Sequence, residues 1–193
     1  MNKLNISQEN YFSESQMEAI VKNHKFENNI DYDLFHISPR NDLAGVIYPR
    51  EILMGEQFKL SKEKYNTNEP IFARICTSPT IRDCVVAVIP NYGAVLAKDD
   101  CEYLEFNIYK ASKNDLKKIR IFTPEDITNY LLVADAFVTR EHMLLDPCKF
   151  TNSGKFRVPV KYFKYREDYH MYNIKEARNM RVLDRNSVKI EYL

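Results

Sequence analysis

Glycine is scarce in this chain, four residues in 193. Neither GxGxxG nor a GxxxxGK run ending in Ser or Thr occurs, which removes two glycine-rich phosphate cradles from consideration. Cysteine is equally sparse: Cys76, Cys84, Cys101 and Cys148 lie far apart without a CxxC pair. That spacing supports neither a zinc ribbon nor a dense disulfide framework, and predicts reduced thiols in a cytoplasmic compartment. Charge of one sign is missing too, because 28 basic residues face 27 acidic ones for a formal net charge of +1. No global field therefore draws the chain to nucleic acid or to an anionic membrane. No apolar run approaches the roughly 18 to 20 residues of a membrane span, and "MNKLNISQENYFSESQ" has no apolar centre or small-residue cleavage site. The expectation is a protein that is neither membrane-embedded nor secreted by a standard signal peptide.

What is present is a chain long enough to bury a core without staples. Residues 1–30 read as a helical extension and 31–193 as the main domain. A helix is expected over 13–24, with Ser13 as cap, Gln16 three residues on, and Met17, Ile20 and Val21 on one face. "DYDLFHIS" is a strand with Leu34, His36 and Ser38 on one side and Phe35 and Ile37 on the other. Residues 40–70 carry Pro49, Gly55 and "NTNEP", and read as a long irregular excursion able to serve as a lid or binding surface.

"IFARICTS" is a second strand. A helix follows in "PTIRDCVVAVIP", with Ser78 as its cap, Pro79 in its first turn, Ile81, Cys84, Val85 and Val88 as its buried stripe, and Pro90 as its end. "EYLEFNIYKA" alternates Leu104, Phe106 and Ile108 against Tyr103, Glu105, Asn107 and Tyr109, the pattern of a half-buried strand. Thr123 and Pro124 open a short helical or turn segment. "DAFVTREHMLL" resumes strand character, and after a turn at Gly154 "KFRVPVKYFKY" forms a further strand, with Pro159 at an edge or bulge. Residues 170–193 hold a short helix and a last strand. The class is α+β.

Three short motifs end or begin strands with polar residues: His36 in "LFHISP", Thr77-Ser78 in "RICTSPTI" and Glu141 in "VTREHMLLDP". In this order they resemble the ADP-ribosyltransferase fold family over roughly residues 33–165. The resemblance implies a split, mostly antiparallel sheet with flanking helices, NAD as cofactor, and ADP-ribose transfer to a macromolecular, expectedly protein, target. It implies Glu141 as the catalytic carboxylate and His36 as the residue that orients the ribose. Thr77 and Ser78 would support the site, and Tyr103 or Tyr109 would supply a stacking face for nicotinamide. A carboxylate suits the task because breaking the nicotinamide–ribose bond builds positive charge on the anomeric carbon. Arginine-modifying members carry Glu or Gln two positions before the catalytic Glu; here Thr139 stands there, which disfavours arginine as acceptor.

The same residues have plainer readings. His36 can be a hydrogen-bonded structural histidine, Ser78 a helix cap, and Glu141 with Arg140 an exposed strand pair. The chain then reads as a non-catalytic interaction or inhibitor protein, of phage or accessory type, that blocks a protein partner. A third class is nucleic-acid binding, since residues 149–193 hold eleven basic against five acidic residues. Lys155, Arg157, Lys161, Lys164 and Arg166 there interleave with aromatics in the manner of a stacking surface, although an edge strand with one solvated face has the same composition. No metal site is expected, because His142 and His170 lack ligand-spaced partners and Asp99-Asp100 reads as a turn. Cys76 or Cys148 as a nucleophile competes with the commoner role of cysteine as a small core residue.

Overall fold

The structure is a computed structural model that describes residues 14–26, 30–51, 72–96, 102–130, 136–159 and 188–193. Its elements in chain order are α1 (Glu14–Asn23), β1 (Leu34–Ser38), β2 (Gly45–Ile47), β3 (Ile75–Thr77), α2 (Ile81–Leu96), β4 (Tyr103–Ala111), α3 (Lys113–Leu116), β5 (Ile121–Phe122), α4 (Pro124–Asn129), α5 (Ala136–Thr139), β6 (His142–Leu144), β7 (Cys148–Pro159) and β8 (Glu191–Tyr192). Among the described residues every strand pairing is antiparallel, and with the flanking helices this is the α+β class read from the sequence.

Two sheets share the fold. The larger runs β1-β4-β7-β2, with β8 added to β7; the smaller runs β3-β6-β5. They are joined where Phe35 and Ser78 exchange both backbone hydrogen bonds, at 2.8 and 2.9 Å. This bridge sets β1 beside β3, and so brings three sequence-distant segments into one row of strands.

The alternation expected of "EYLEFNIYKA" is realised in β4, but both of its faces are buried from Phe106 to Tyr109. The cause is that the larger sheet is covered twice. On one side Ile37, Phe106, Ile108, Phe156 and Val158 meet Cys84 and Val85 of α2. On the other, Leu34, Tyr109, Ala111 and Phe150 meet Ile75, Ile121 and Leu144, the inward face of the smaller sheet. The smaller sheet's outward residues Phe122 and Met143 are sealed by Ile127 of α4 and Ala136 of α5, with Ile20 and Val21 of α1 against them. Each fully buried aliphatic or aromatic side chain of this kind contributes about 2 kcal/mol.

Several boundaries differ from the sequence reading, each for a local reason. The helix after β3 starts at Ile81, and its cap is Thr80 rather than Ser78: the Thr80 hydroxyl oxygen accepts from the Asp83 N–H at 3.1 Å, while Ser78 is occupied in the bridge to Phe35. Pro90 does not end α2, which runs on to Leu96. "DAFVTREHMLL" is not one strand; Ala136–Thr139 makes a helical turn, Arg140 takes φ 49°, and β6 begins only at His142. Gly154, at φ 132°, sits inside β7 at a register shift instead of marking a turn. Part of the 40–70 excursion is regular: β2 pairs with β7, and Arg50 is bridged to Arg74. The Thr123–Pro124 start holds, closed by a capping box with Asp126. Ser13, residues 52–71, Asp99, Asp100, Lys161, Lys164, Arg166, His170 and the helix expected after 170 lie outside the described residues. No helix among the described residues is long and apolar enough to cross a membrane.

Candidate functional site

Of the residues singled out from the sequence, His36, Thr77, Ser78 and Glu141 lie around one end of the β1–β3–β6 row, where β1 begins, β3 ends, α2 begins and β6 begins. They do so in two groups, separated by the pleat of the sheet.

His36 lies opposite Tyr109 of β4, with ring centroids 6.5 Å from Tyr109 and 6.3 Å from Phe150. Its Nδ1 is 2.9 Å from the Cys76 carbonyl. A carbonyl only accepts, so Nδ1 carries the ring hydrogen and Nε2 is left as an acceptor. Burial lowers the His36 pKa, against the opposing pull of that carbonyl, and keeps the ring neutral. Thr77 is a Cα partner of His142 and donates its hydroxyl to the His142 carbonyl at 3.2 Å. Thr77 alternates with Ile75, and His142 with Leu144, so both point toward the cluster that His36 faces.

Ser78 and Glu141 belong to the other side. The Cys84 thiol of α2 donates to the Phe35 carbonyl at 3.1 Å. Burial pushes this thiol up to about 12; hydrogen bonds with Ser78 act downward, and the charge of Glu141 adds to the rise. Glu141 is half-buried, and its N–H is held by the Ala136 carbonyl at 3.0 Å. The imidazole and the carboxylate of the proposed triad thus approach from opposite sides of one row of strands and share only its end.

The two aromatic candidates do not join them. Tyr109 is fully buried and donates its hydroxyl to the Arg40 carbonyl at 2.7 Å, so its ring offers no open face. Tyr103 is at the far end of β4, about 20 Å along the strand from Tyr109, where the Arg157 guanidinium lies 4.4 Å from its ring centroid. Arg157 is also tied to Glu191 at 2.6 Å, while Lys155 is exposed beside it. Cys148 is buried, and its thiol is pushed up to about 11 by burial, which makes it a poor nucleophile at neutral pH. Among the described residues no group of three or more His, Cys, Asp and Glu side chains is placed to hold a metal ion.

Other residues prove more engaged than their sequence context suggests. The Asp83 carboxylate, almost fully buried in the first turn of α2, accepts from the Thr80 hydroxyl at 2.7 Å and from Arg140 Nε and Nη2 at 2.9 and 2.7 Å. His142 bonds at both ring nitrogens: Nδ1 lies 2.9 Å from the Arg140 carbonyl and Nε2 lies 2.9 Å from the Tyr32 hydroxyl. The only sequence signal for any of this is the Thr-x-x-Asp spacing of residues 80–83, a capping signature. Tyr32 and His142, 110 positions apart, carry none.

An open cleft of about 560 Å³ lies at this end, lined by Phe35, Pro79, Thr80, Asp83, Arg140 and Tyr192. A second, of about 510 Å³, shares Phe35, Ile81 and Tyr192 with it and extends over Ile108 and Gly154 toward Lys110 and Lys155. Compared with known proteins, the chain matches no family model, no characterised sequence and no solved structure.

Proposed function

We propose that the chain is an NAD-dependent mono-ADP-ribosyltransferase acting on a macromolecular target. One observation carries the reading: the strands bearing His36 and Thr77-Ser78 and the lead-in to the strand after Glu141 are immediate neighbours, in that order. His36 and Glu141 approach this row from its two sides and neither lines the cleft beside Arg140, so a ligand meeting both has to reach across the strand ends. When bound, NAD supplies a glycosidic bond whose cleavage leaves positive charge on the ribose. Glu141 is the carboxylate that stabilises this charge, and the unprotonated Nε2 of His36 accepts from a ribose hydroxyl. Thr77 and Ser78 act by fixing the strand backbone, since both are engaged within the sheet.

Nicotinamide release and transfer of adenylate-labelled ADP-ribose test this reading with the wild type and Glu141→Gln. The expected result is release by the wild type and a loss of about a hundredfold or more in the variant. Absence of both NAD binding and nicotinamide release removes the reading.

The second reading, a non-catalytic interaction or inhibitor protein, is favoured by a different observation. The Thr77 hydroxyl and the His36 Nδ1–H are both committed to backbone carbonyls, as in a purely structural core. A chain that binds a protein partner and leaves NAD intact meets that description. Nucleic-acid binding draws less support, because Arg157 is already held by Glu191 and Tyr103.

A further inference from the structure

The side of the larger sheet that packs on α2 extends beyond the start of that helix. Past Ile81 the apolar face continues as Phe35 of β1, Ile108 of β4 and Gly154 of β7, and forms the floor of the 510 Å³ cleft. Ile108 and Gly154 are register partners, and Gly154 brings no side chain to the row. A Cβ at position 154 meets nothing within 4 Å, and φ 132° keeps the position for glycine. A glycine inside a strand often marks a place where another group approaches the backbone closely. Tyr192 of β8 and the adjoining Leu193 stand beside the gap, 66% and 61% exposed.

This depression and the cleft beside Arg140 share Phe35, Ile81 and Tyr192, so the two make one trough. Lys110 and Lys155 line one part of it, Arg82 and Arg140 the other. The acidic side chains on its walls are Asp33 and Asp83, and both are engaged. Asp33 meets Lys110 at 3.4 Å and accepts from the Lys113 N–H at 2.9 Å, while Asp83 holds Arg140 and the Thr80 hydroxyl. Four basic side chains against two acidic ones leave the walls net positive. Lys155 is exposed and meets no carboxylate among the described residues. Charge and floor together are complementary to a molecule whose negative groups flank an apolar centre.

We propose that this trough docks a short acidic segment of a protein partner. An apolar side chain of the segment fills the depression over Ile108 and Gly154, and its carboxylates lie toward Lys155 on one side and toward Arg82 and Arg140 on the other. Tyr192 is the anchor, because it is a large exposed ring that stands in both parts of the trough, and aromatic residues of this kind carry most of the energy of an interface. A peptide suits the trough better than a nucleic-acid strand for two reasons. Successive bases need successive aromatic faces, whereas Ile81, Ile108 and Ile190 make much of this lining aliphatic. The carboxylates of Asp33 and Asp83 also interrupt the positive track that a continuous phosphate backbone follows. The proposal rests on a protein being the target, which the transferase and the inhibitor readings share, and it needs no NAD. Neither His36 nor Glu141 lines the trough.

The test follows the fluorescence anisotropy of the rhodamine-labelled peptide Glu-Glu-Phe-Leu-Glu-Glu with the full chain and without NAD. Control peptides carry Gln in place of every Glu, or Ser-Ser in place of Phe-Leu, and labelled hexathymidylate is the nucleic-acid probe. The acidic peptide is expected to bind about tenfold or more tighter than either control peptide, and more weakly as salt is added. Lys155→Glu and Tyr192→Ala should each weaken it about tenfold. Both side chains are exposed, so the fold does not depend on either. No binding of the acidic peptide to the wild type, binding undiminished in both variants, or tighter binding of hexathymidylate overturns the proposal. Nicotinamide release by the wild type, measured separately, keeps the two questions apart: release without peptide binding removes the docking site and leaves the transferase reading, and peptide binding without release supports the docking site alone.

Discussion

Asp83 and Arg140 meet across 57 positions of sequence, with both Nε and Nη2 donating to the same carboxylate oxygen. The guanidinium is 43% exposed and the carboxylate 2%, so one partner of the pair is anchored inside the fold while the other reaches the cleft. The pair ties the start of α2 to the turn before β6.

Asp83→Asn keeps the volume and removes the charge that two donors converge on. A loss of about 2 kcal/mol is expected, the usual worth of hydrogen bonds to a charged group. Urea unfolding with an unchanged m-value is the measurement; a midpoint equal to that of the wild type contradicts the role given to Asp83.

Position 140 separates backbone from side chain. Arg140→Ala and Arg140→Gly both lose the guanidinium, but only glycine occupies φ 49° without steric penalty. The Gly variant should be more stable than the Ala variant by about 1 kcal/mol, the reverse of the order in an ordinary helix or strand. Thermal melts of the two proteins side by side decide it.

His142 makes stability depend on acid. Burial drives its pKa from an ordinary 6.5 to about 4. Between those pH values the unfolded chain binds the extra proton and the folded chain does not. The contribution is therefore complete above about pH 6.5 and is lost as pH falls toward 4, by about 3 kcal/mol in all. His36 shifts in the same direction and adds to the slope. Denaturant midpoints taken from pH 7 to pH 4 should fall in the wild type and fall less in His142→Gln.

Tyr109→Phe removes a hydroxyl that donates to the Arg40 carbonyl at 2.7 Å and accepts from the Leu43 N–H at 3.4 Å. With the ring still filling its place, the expected loss is about 1 to 2 kcal/mol. Amide exchange should speed up locally at Leu43, and unaltered exchange there would show that the hydroxyl does not hold this loop.

Cys84 and Cys148 are buried thiols with raised pKa values. Iodoacetamide at pH 8 should leave both unmodified in the native protein and label both in urea. Native labelling of Cys84 would mean that the contact between α2 and β1 opens on the time scale of the reaction.

These features were unequally legible in the sequence. The strand "EYLEFNIYKA" and the Thr123–Pro124 helix start depend on nearest neighbours, and local pattern is enough to reveal them. The α2 boundary was half legible: "TSPTIRD" offers more than one hydroxyl as a cap, and Thr80 prevails because its hydroxyl accepts from the Asp83 N–H and donates to the Asp83 carboxylate, while Ser78 pairs with Phe35. The adjacency of His36, Thr77 and Glu141 was inferred from a motif order. Which way each side chain points was not, because the strained turn at Arg140 resets the alternation before β6. Tyr32 carries no signal in the sequence because its partner is encoded 110 residues away, and no periodicity spans that distance.

The return of β8 to β7 has one further consequence. β8 is held to β7 at Phe156 and Arg157, and its Tyr192 stands in the wall of both clefts. A two-residue rung of the ladder thus works as a latch: loosening it would reshape both openings together, because one side chain serves them both.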